Sequence, residues 1–419
     1  MPLTLRAKRS EIGCSRSIIS NSVFFTIYAF SYSLYMAELF PSSIFYASLS
    51  IFFIFATLRV IVILLRARPG TPLIFGRSAG ALLIASFALL LISIGQELAA
   101  NGDFSYTSFS ASALIVIPAI IALCIANTST ERVADLYMTI YLARYLLYFA
   151  ISNEYSIEAI RSISWSDSVS PFESSFAHDM LVLVMYFVVR QSKVRTGVTA
   201  FFTMLALKRA AFISAPLFIL FGRQLRAPSP PKRASVIALF LVGVASPFIV
   251  IAAYSQSFSR FFSETFGTDL NDFTSGRVQI YQLATHCADT SHAFGSLNTC
   301  LSDLALRLNG TTWNSLLHND TLRVYMEVGV LGIAIYMGAL AYVCRLSRPA
   351  FVLMAYTFFV LATSRLITHV SFWLVLFTAI ALFEMLKSNR ELEDGRSNTS
   401  GDTHATEQNS RESNTIRGR

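Results

Sequence analysis

Charged residues are scarce in this sequence. Asp, Glu, Lys and Arg make up 14% of 419 residues, whereas soluble globular proteins carry about 25%. Five cysteines in this length exclude a disulfide-dense secreted domain, and an apolar fraction of 54% excludes a disordered chain. The basic residues lie between apolar runs instead of on one patch, which argues against nucleic acid as a partner. The composition excludes a soluble enzyme and indicates a membrane protein.

The apolar residues occur in runs of the length that a bilayer requires, since about 17–25 residues cross a hydrocarbon core about 30 Å thick. The longer candidate spans lie at 18–37, 43–65, 78–95, 110–126, 134–151, 175–189, 235–254, 321–344, 349–364 and 370–386. We therefore expect an all-α polytopic membrane protein.

Basic segments orient these spans, because Lys and Arg favour the cytoplasmic side. Residues 1–17, 190–195 and 223–233 are basic and are expected in the cytoplasm. A single crossing between the last two would place one of them outside. We expect two short helices instead within 196–222, at about 196–207 and 210–222, with Lys208 and Arg209 at the tip of the hairpin in the outer leaflet. That gives about 12 membrane segments with both ends cytoplasmic.

The charge pattern divides the chain into five parts. They are a basic cytoplasmic N-terminus (1–17), transmembrane segments (18–254), a large outer loop (255–317), C-terminal transmembrane segments (318–387) and a disordered cytoplasmic tail (388–419). Cys287 and Cys300 both lie in the outer loop, where an oxidising periplasm would favour a disulfide. The alternative is two unpaired small residues. No metal site is expected, because the histidines near Cys287 match no zinc spacing.

Several cations fall where a membrane protein tolerates them poorly. Lys208 and Arg209 are suited to a phosphate or pyrophosphate, although a loop tip that reaches to water explains them too. Arg277 by itself reads as a surface residue. Arg144 stays undecided, and Asp179 is expected to cap a helix. Arg365 and His369 lie in a short outer turn and could line the same cavity as the hairpin tip.

The densest group of polar residues follows the outer loop. His318, Asp320 and Arg323 fall within six residues, and Arg323 and Glu327 are spaced to form an i,i+4 ion pair. Gly329 and Gly332 are expected to allow a close helix approach. The alternative is simply a capped, salt-bridged start of a membrane helix.

The residues from 318 to 332 resemble a known motif. His318-Asn319, nine residues and then Gly329-Val330-Leu331-Gly332 match the HN-x9-GxxG pattern of the O-antigen ligase and O-antigen polymerase (Wzy-type) superfamily. A Lys-Arg pair before the large loop and Arg277 early within it, after Ser-Gly, follow in the expected order. The resemblance covers about residues 175–385.

The resemblance implies a bacterial inner-membrane glycosyltransferase of the GT-C-like class, without metal or other cofactor, whose active site faces the periplasm. Its donor would be a glycan on undecaprenyl pyrophosphate in the membrane, and a flippase and a chain-length regulator would be its partners. His318, Arg277 and Arg209 would be catalytic, with His318 as the base. Lys208, Asn319, Arg323 and Glu327 would bind substrate. A polymerase is favoured over a ligase that transfers to lipid A-core, and a lipid-linked oligosaccharide flippase is the rival from another class.

Overall fold

The structure is a computed structural model that describes residues 14–67, 72–101, 106–152, 176–206, 208–226, 230–274, 277–288, 293–309 and 317–389. Within these ranges the chain is helical and contains no strand. The helices that coincide with predicted spans are α1 (Cys14–Met36), α2 (Ser42–Arg66), α3 (Gly76–Asn101), α4 (Tyr106–Thr128), α5 (Glu131–Ile151), α6 (Phe176–Val189), α10 (Arg233–Ala253), α15 (Asp320–Val343), α16 (Arg348–Thr363) and α17 (Val370–Asn389). The shorter helices are α7 (Lys193–Leu205), α8 (Arg209–Leu220), α9 (Gly222–Leu225), α11 (Gln256–Phe266), α12 (Leu270–Phe273), α13 (Arg277–Ala288) and α14 (Leu297–Asn309).

Six of the described helices, α2, α3, α4, α10, α15 and α17, are long and apolar enough to cross a membrane. Each candidate span predicted from the sequence coincides with a helix, and the helix bounds differ from the prediction by a few residues. The chain is therefore an all-α protein whose long apolar helices mark it as membrane-embedded.

The helices differ in how deeply they are buried. α6 and α17 lie at the centre, with nearly every side chain buried, whereas α2 and α10 expose most of their apolar side chains. Around this centre, α1 packs on α2 and α5, α3 packs on α4 and α15, and α10 packs on α15. Exposed apolar side chains on α2 and α10 are the arrangement expected for helices that face lipid.

The hairpin predicted within 196–222 is present as two short helices. α7 ends at Leu205 and α8 begins at Arg209, so the break falls at the tip with Lys208. Both helices pack against α6. Their bounds differ from the predicted 196–207 and 210–222 by three residues or fewer.

The segment predicted as a loop, 255–317, contains the helices α11 to α14. Apolar side chains of α13 and α14 cluster with Leu317 and Leu322 at the start of α15, and Cys287 and Cys300 are joined by a disulfide within this cluster. This segment is therefore a small helical unit seated on α15.

At the C-terminal end, α17 continues to Asn389, two residues beyond the predicted end of the transmembrane part. The rest of the predicted disordered tail lies outside the described residues. At the other end, α1 begins at Cys14, within the segment predicted as the cytoplasmic N-terminus.

Candidate functional site

Asn319 fixes the start of α15. Its side-chain Oδ1 accepts hydrogen bonds from the Leu322 amide at 2.8 Å and from the Thr321 hydroxyl at 2.9 Å, which is the geometry of a helix N-cap. Its Nδ2 donates to the Ala362 carbonyl at 2.6 Å and so ties α15 to the end of α16. The side chain is completely buried. The structure therefore gives Asn319 a helix-capping role, whereas the resemblance implies substrate binding.

Asp320 is a second anchor at the same point. Its buried carboxylate accepts hydrogen bonds from the backbone amides of Leu366 and Ile367, the latter at 2.7 Å. These amides belong to the turn between α16 and α17, which also carries Arg365 and His369. Asp320 therefore holds this turn against the start of α15, an arrangement that no local sequence pattern indicates.

Arg323 and Glu327 form the ion pair predicted from their spacing, with Arg323 Nε 3.0 Å from Glu327 Oε1. Both side chains are buried. Glu327 also accepts the backbone amides of Gly295 at 2.7 Å and Leu297 at 2.9 Å, so it fastens the turn before α14 to α15. Arg323 Nη1 has no acceptor among the described residues. Glu327 is thus an anchor of the outer segment, and Arg323 retains a donor for a ligand.

The hairpin tip lies close to the turn that carries Arg365 and His369. Lys208 at the tip is half-buried, and its positive charge acts on both His178 in α6 and His369 in this turn. Burial, together with Arg365 and Lys208, lowers the pKa of His369 to about 4, so His369 is neutral at pH 7.

Arg365 connects this group to α15. Burial lowers the pKa of its guanidinium, while the carboxylate of Asp320 raises it and the charge of Arg323 lowers it further. Arg323 and Arg365 act on each other, and Arg365 and Lys208 both act on His369, so these residues lie near one another. They lie at the end of the bundle that the charge pattern of the sequence predicts to face outward. We call Lys208, Arg323, Arg365 and the neutral His369 the outer charged group.

Two histidines border the outer charged group. His318 precedes the Asn319 cap and is half-buried. His178 is buried, and its Nδ1 lies 2.6 Å from the Tyr356 hydroxyl. His318 is therefore the more accessible of the two for proton transfer.

Asp179 lies in the first turn of α6, where its Oδ2 is 2.7 Å from Arg144 Nη2 and accepts the Ser371 hydroxyl at 2.6 Å. Arg144 Nη1 donates to the same Ser371 hydroxyl oxygen at 2.8 Å. The guanidinium also stacks on the rings of Tyr32, Tyr141 and Phe176. The prediction that Asp179 caps the helix concerns the residues before Phe176, which lie outside the described part of the chain. What the structure adds is a counter-charge for a buried arginine about four turns into α5.

The two glycines expected to allow a close helix approach differ from each other. Gly329 has φ +70° and ψ −170° and breaks α15, and open space lies beside it. A Cβ at Gly332 would clash with the Val328 side chain of the preceding turn and would lie 3.5 Å from Leu89 Cδ2 of α3. Gly329 therefore permits a break in the helix, whereas Gly332 lies where α3 packs against α15. A cleft of about 430 Å³ lies beside the break, lined by Gln96, Thr285, Tyr325, Met326, Glu327, Gly329 and Val330.

For two of the predicted catalytic residues, the structure describes only the position of the backbone. Arg209 is the first residue of α8, next to Lys208, and Arg277 is the first residue of α13; both side chains lie outside the described part of the structure. α13 is held near the end of α10, because Tyr281 stacks on Tyr254 with ring centroids 4.2 Å apart.

The described residues bring Lys208, His318, Arg323 and the turn 364–369 to one end of the bundle. The sequence predicts that Arg365 and His369 line a cavity but assigns them no role, and the hydrogen bonds of Asp320 to this turn place them beside α15. Among the described residues, no three His, Cys, Asp or Glu side chains are grouped to hold a metal ion.

Comparison of the sequence with models of known protein families finds no match, and comparison with curated proteins finds none either. The relationship to the O-antigen polymerase and ligase superfamily is therefore a proposal that rests on the residues of this chain.

Proposed function

We propose that this protein is a bacterial inner-membrane glycosyltransferase with about twelve membrane-crossing segments, which joins undecaprenyl-pyrophosphate-linked repeat units into polysaccharide chains at the periplasmic face. The supporting observation is the convergence of Lys208, Arg323 and Arg365 at one end of an apolar helical bundle. Cations held together at a membrane boundary are suited to a pyrophosphate that is anchored by a lipid.

The acceptor sugar's hydroxyl attacks the anomeric carbon of the donor. A new carbon–oxygen bond forms, the bond from the anomeric carbon to the pyrophosphate oxygen breaks, and its electron pair leaves with undecaprenyl pyrophosphate. The departing pyrophosphate gains negative charge, so positioned cations lower the barrier. In this proposal Lys208 and the free Nη1 of Arg323 contact the pyrophosphate. Arg209 and Arg277 are assigned the same task by the resemblance.

The hydroxyl proton needs an acceptor, and His318 takes this role. Histidine is the side chain whose ordinary pKa lies nearest to neutral pH. His318 is half-buried at the same end of the bundle, whereas His178 is buried and bonded to Tyr356. Glu327 is excluded as the base because two backbone amides and Arg323 already occupy its oxygens.

The acceptor distinguishes the two enzyme candidates. The polymerase transfers to a second lipid-linked unit, and the Ser275-Gly276-Arg277 run favours this reading. The ligase would use the same donor and the same cations but transfer to lipid A-core. A flippase would bind the pyrophosphate without breaking a bond.

A chain-length assay in a strain that lacks the gene tests the proposal. We expect lipopolysaccharide capped with a single repeat unit. Undecorated core with long lipid-linked chains would identify a ligase instead, and repeat units trapped at the cytoplasmic leaflet would contradict both enzyme assignments.

Complementation of the same strain tests the base. His318→Ala should fail to restore long chains, because the attacking hydroxyl keeps its proton. The control is His286→Ala, since His286 is exposed on α13 and should restore full length. Full chain length with His318→Ala would show that another group is the base.

A further inference from the structure

The helix α11 is short but sharply bounded. The hydroxyl of Ser255 accepts the amide of Phe258 at 3.3 Å and caps the start of the helix. Gly267, at φ +68°, ends it in the left-handed conformation that glycine adopts without strain. Such caps specify a helix even where tertiary contacts are few.

The sequence of α11 separates aromatic from charged residues. Phe258, Phe261, Phe262 and Phe266 recur at intervals of three and four and therefore share one face. Arg260 and Glu264 lie on the other side. No residue of α11 is buried in the protein.

The aromatic face is mostly uncovered. Phe258, Phe261 and Phe266 expose 39%, 59% and 64% of their surface. Four phenylalanines along about two and a half turns of exposed helix form an apolar patch whose contact with water is unfavourable, so the patch indicates an interaction surface.

The position of α11 in the chain identifies what covers the patch. The preceding helix α10 has 21 residues, which gives a length of about 31 Å and matches a hydrocarbon core of about 30 Å. Near its end Phe248, Ile249 and Ile251 are exposed, as on a lipid-facing surface. Only Tyr254 and Ser255 separate α10 from α11, so α11 begins at the membrane boundary.

The chain also turns at this point. Ser255 has φ −64° and ψ 150°, an extended conformation that interrupts the helix, so α11 does not continue α10 out into water. An aromatic face that starts at the end of a lipid-facing helix, with charges on the opposite side, is the pattern of a helix that lies in the membrane interface.

We propose that α11 is an interfacial helix whose phenylalanine face is inserted into the lipid bilayer, with Arg260 and Glu264 directed to the headgroups and water. The apolar surface of α10 then continues into that of α11 without a gap. This assignment does not depend on the reaction that the protein catalyses.

Spin-label accessibility measures the proposed contact directly. Single cysteines at Phe258→Cys, Phe261→Cys, Phe266→Cys, Arg260→Cys and Glu264→Cys are placed in the full chain after Cys14, Cys124 and Cys344 are replaced by Ser. The native disulfide is kept. The labelled protein is reconstituted in vesicles of phosphatidylethanolamine and phosphatidylglycerol. Because no residue of α11 is buried, these substitutions leave the packing of the bundle intact.

The proposal expects labels at 258, 261 and 266 to collide several-fold more often with dissolved oxygen, which concentrates in lipid, than with a water-soluble nickel chelate. Labels at 260 and 264 should show the reverse. Equal nickel accessibility at all five positions would place the helix in water and overturn the proposal. Shielding of the phenylalanine positions from both reagents would show a protein partner on this face and would overturn it too.

Discussion

Two groups of charged residues are sequestered in this protein, and they differ in their exposure to solvent and in the number of cations for each carboxylate. Arg144, Asp179 and Ser371 bond to one another among α5, α6 and α17, fully buried and ringed by aromatic side chains. In the outer charged group, Lys208 and Arg365 stay half-buried. Each group has one guanidinium nitrogen without an acceptor among the described residues, Arg144 Nε in the first and Arg323 Nη1 in the second. The first group pairs one cation with one carboxylate, is closed to solvent and stabilises the packing of helices. The second has three cations beside Asp320 and Glu327, is partly open to solvent and is suited to an anion.

The carboxylates of the two groups also differ in which groups donate hydrogen bonds to them. Asp179 bonds its oxygen to the arginine and to Ser371. Asp320 and Glu327 instead direct oxygens to backbone amides of the turn 364–369 and of the turn before α14. These two carboxylates therefore position backbone segments, and Glu327 in addition pairs with Arg323.

The largest expected effect is in the closed group. Arg144→Met leaves Asp179 buried and unpaired, which should lower the free energy of unfolding by about 3–5 kcal/mol. The measurement is a denaturant titration of the purified protein. The double variant R144M/D179L removes both charges and should recover most of the loss. Equal stability of the single variant and the wild type would show that the pair does not hold the helices together.

Lys208→Met should change the rate of the reaction and leave the stability of the protein unchanged. We expect glycosyl transfer to slow by about 10²–10³-fold, because one cation no longer stabilises the leaving pyrophosphate. The free energy of unfolding should stay close to that of the wild type. Lys193→Met is the matched control, since Lys193 is exposed at the other end of the same hairpin and should leave the rate unchanged. A drop in stability with an unchanged rate would assign Lys208 to packing.

Glu327→Gln tests a residue that both pairs with a cation and holds a backbone segment in place. The variant loses the charge that accepts two amides and pairs with Arg323, which should cost about 1.5–3 kcal/mol. The effect should concentrate at the turn before α14. Hydrogen exchange at the amides of Gly295 and Leu297 is the measurement, with Glu264→Gln on exposed α11 as control. Unchanged exchange at both amides would contradict the anchoring role.

The smallest effect is expected at the break in α15. Gly329→Ala forces a side chain into a conformation with φ +70°, which should cost about 1–2 kcal/mol. Gly197→Ala is the control, because Gly197 lies within α7 with open space beside it. The comparison is made by thermal unfolding. Equal midpoints for the two variants would show that α15 tolerates a regular helix at Gly329.

The positions of the helices could be predicted from the sequence, including the hairpin with its break at Lys208. Apolar run length and the alternation of basic segments carry that information locally. The Arg323–Glu327 pair was predictable for the same reason, since both residues lie on one helix face.

Contacts between distant segments could not be predicted in this way. The bond from Asp320 to the turn 364–369 and the pairing of Arg144 with Asp179 depend on how separate helices pack. In a single sequence, the only signal of these contacts was that a buried charge requires a partner. At Asp179 that signal does not specify the partner, because an acidic residue near a helix start can cap the helix or pair with a buried arginine of another helix.

The central claim is that the outer charged group catalyses glycosyl transfer from a lipid pyrophosphate. The most direct measurement incubates the purified full-length protein in phospholipid vesicles with a synthetic undecaprenyl-pyrophosphate oligosaccharide and follows both products. The account predicts longer lipid-linked chains together with released undecaprenyl pyrophosphate, and loss of both with Lys208→Met but not with Lys193→Met. Movement of the intact oligosaccharide lipid between leaflets, with no bond broken, would contradict it.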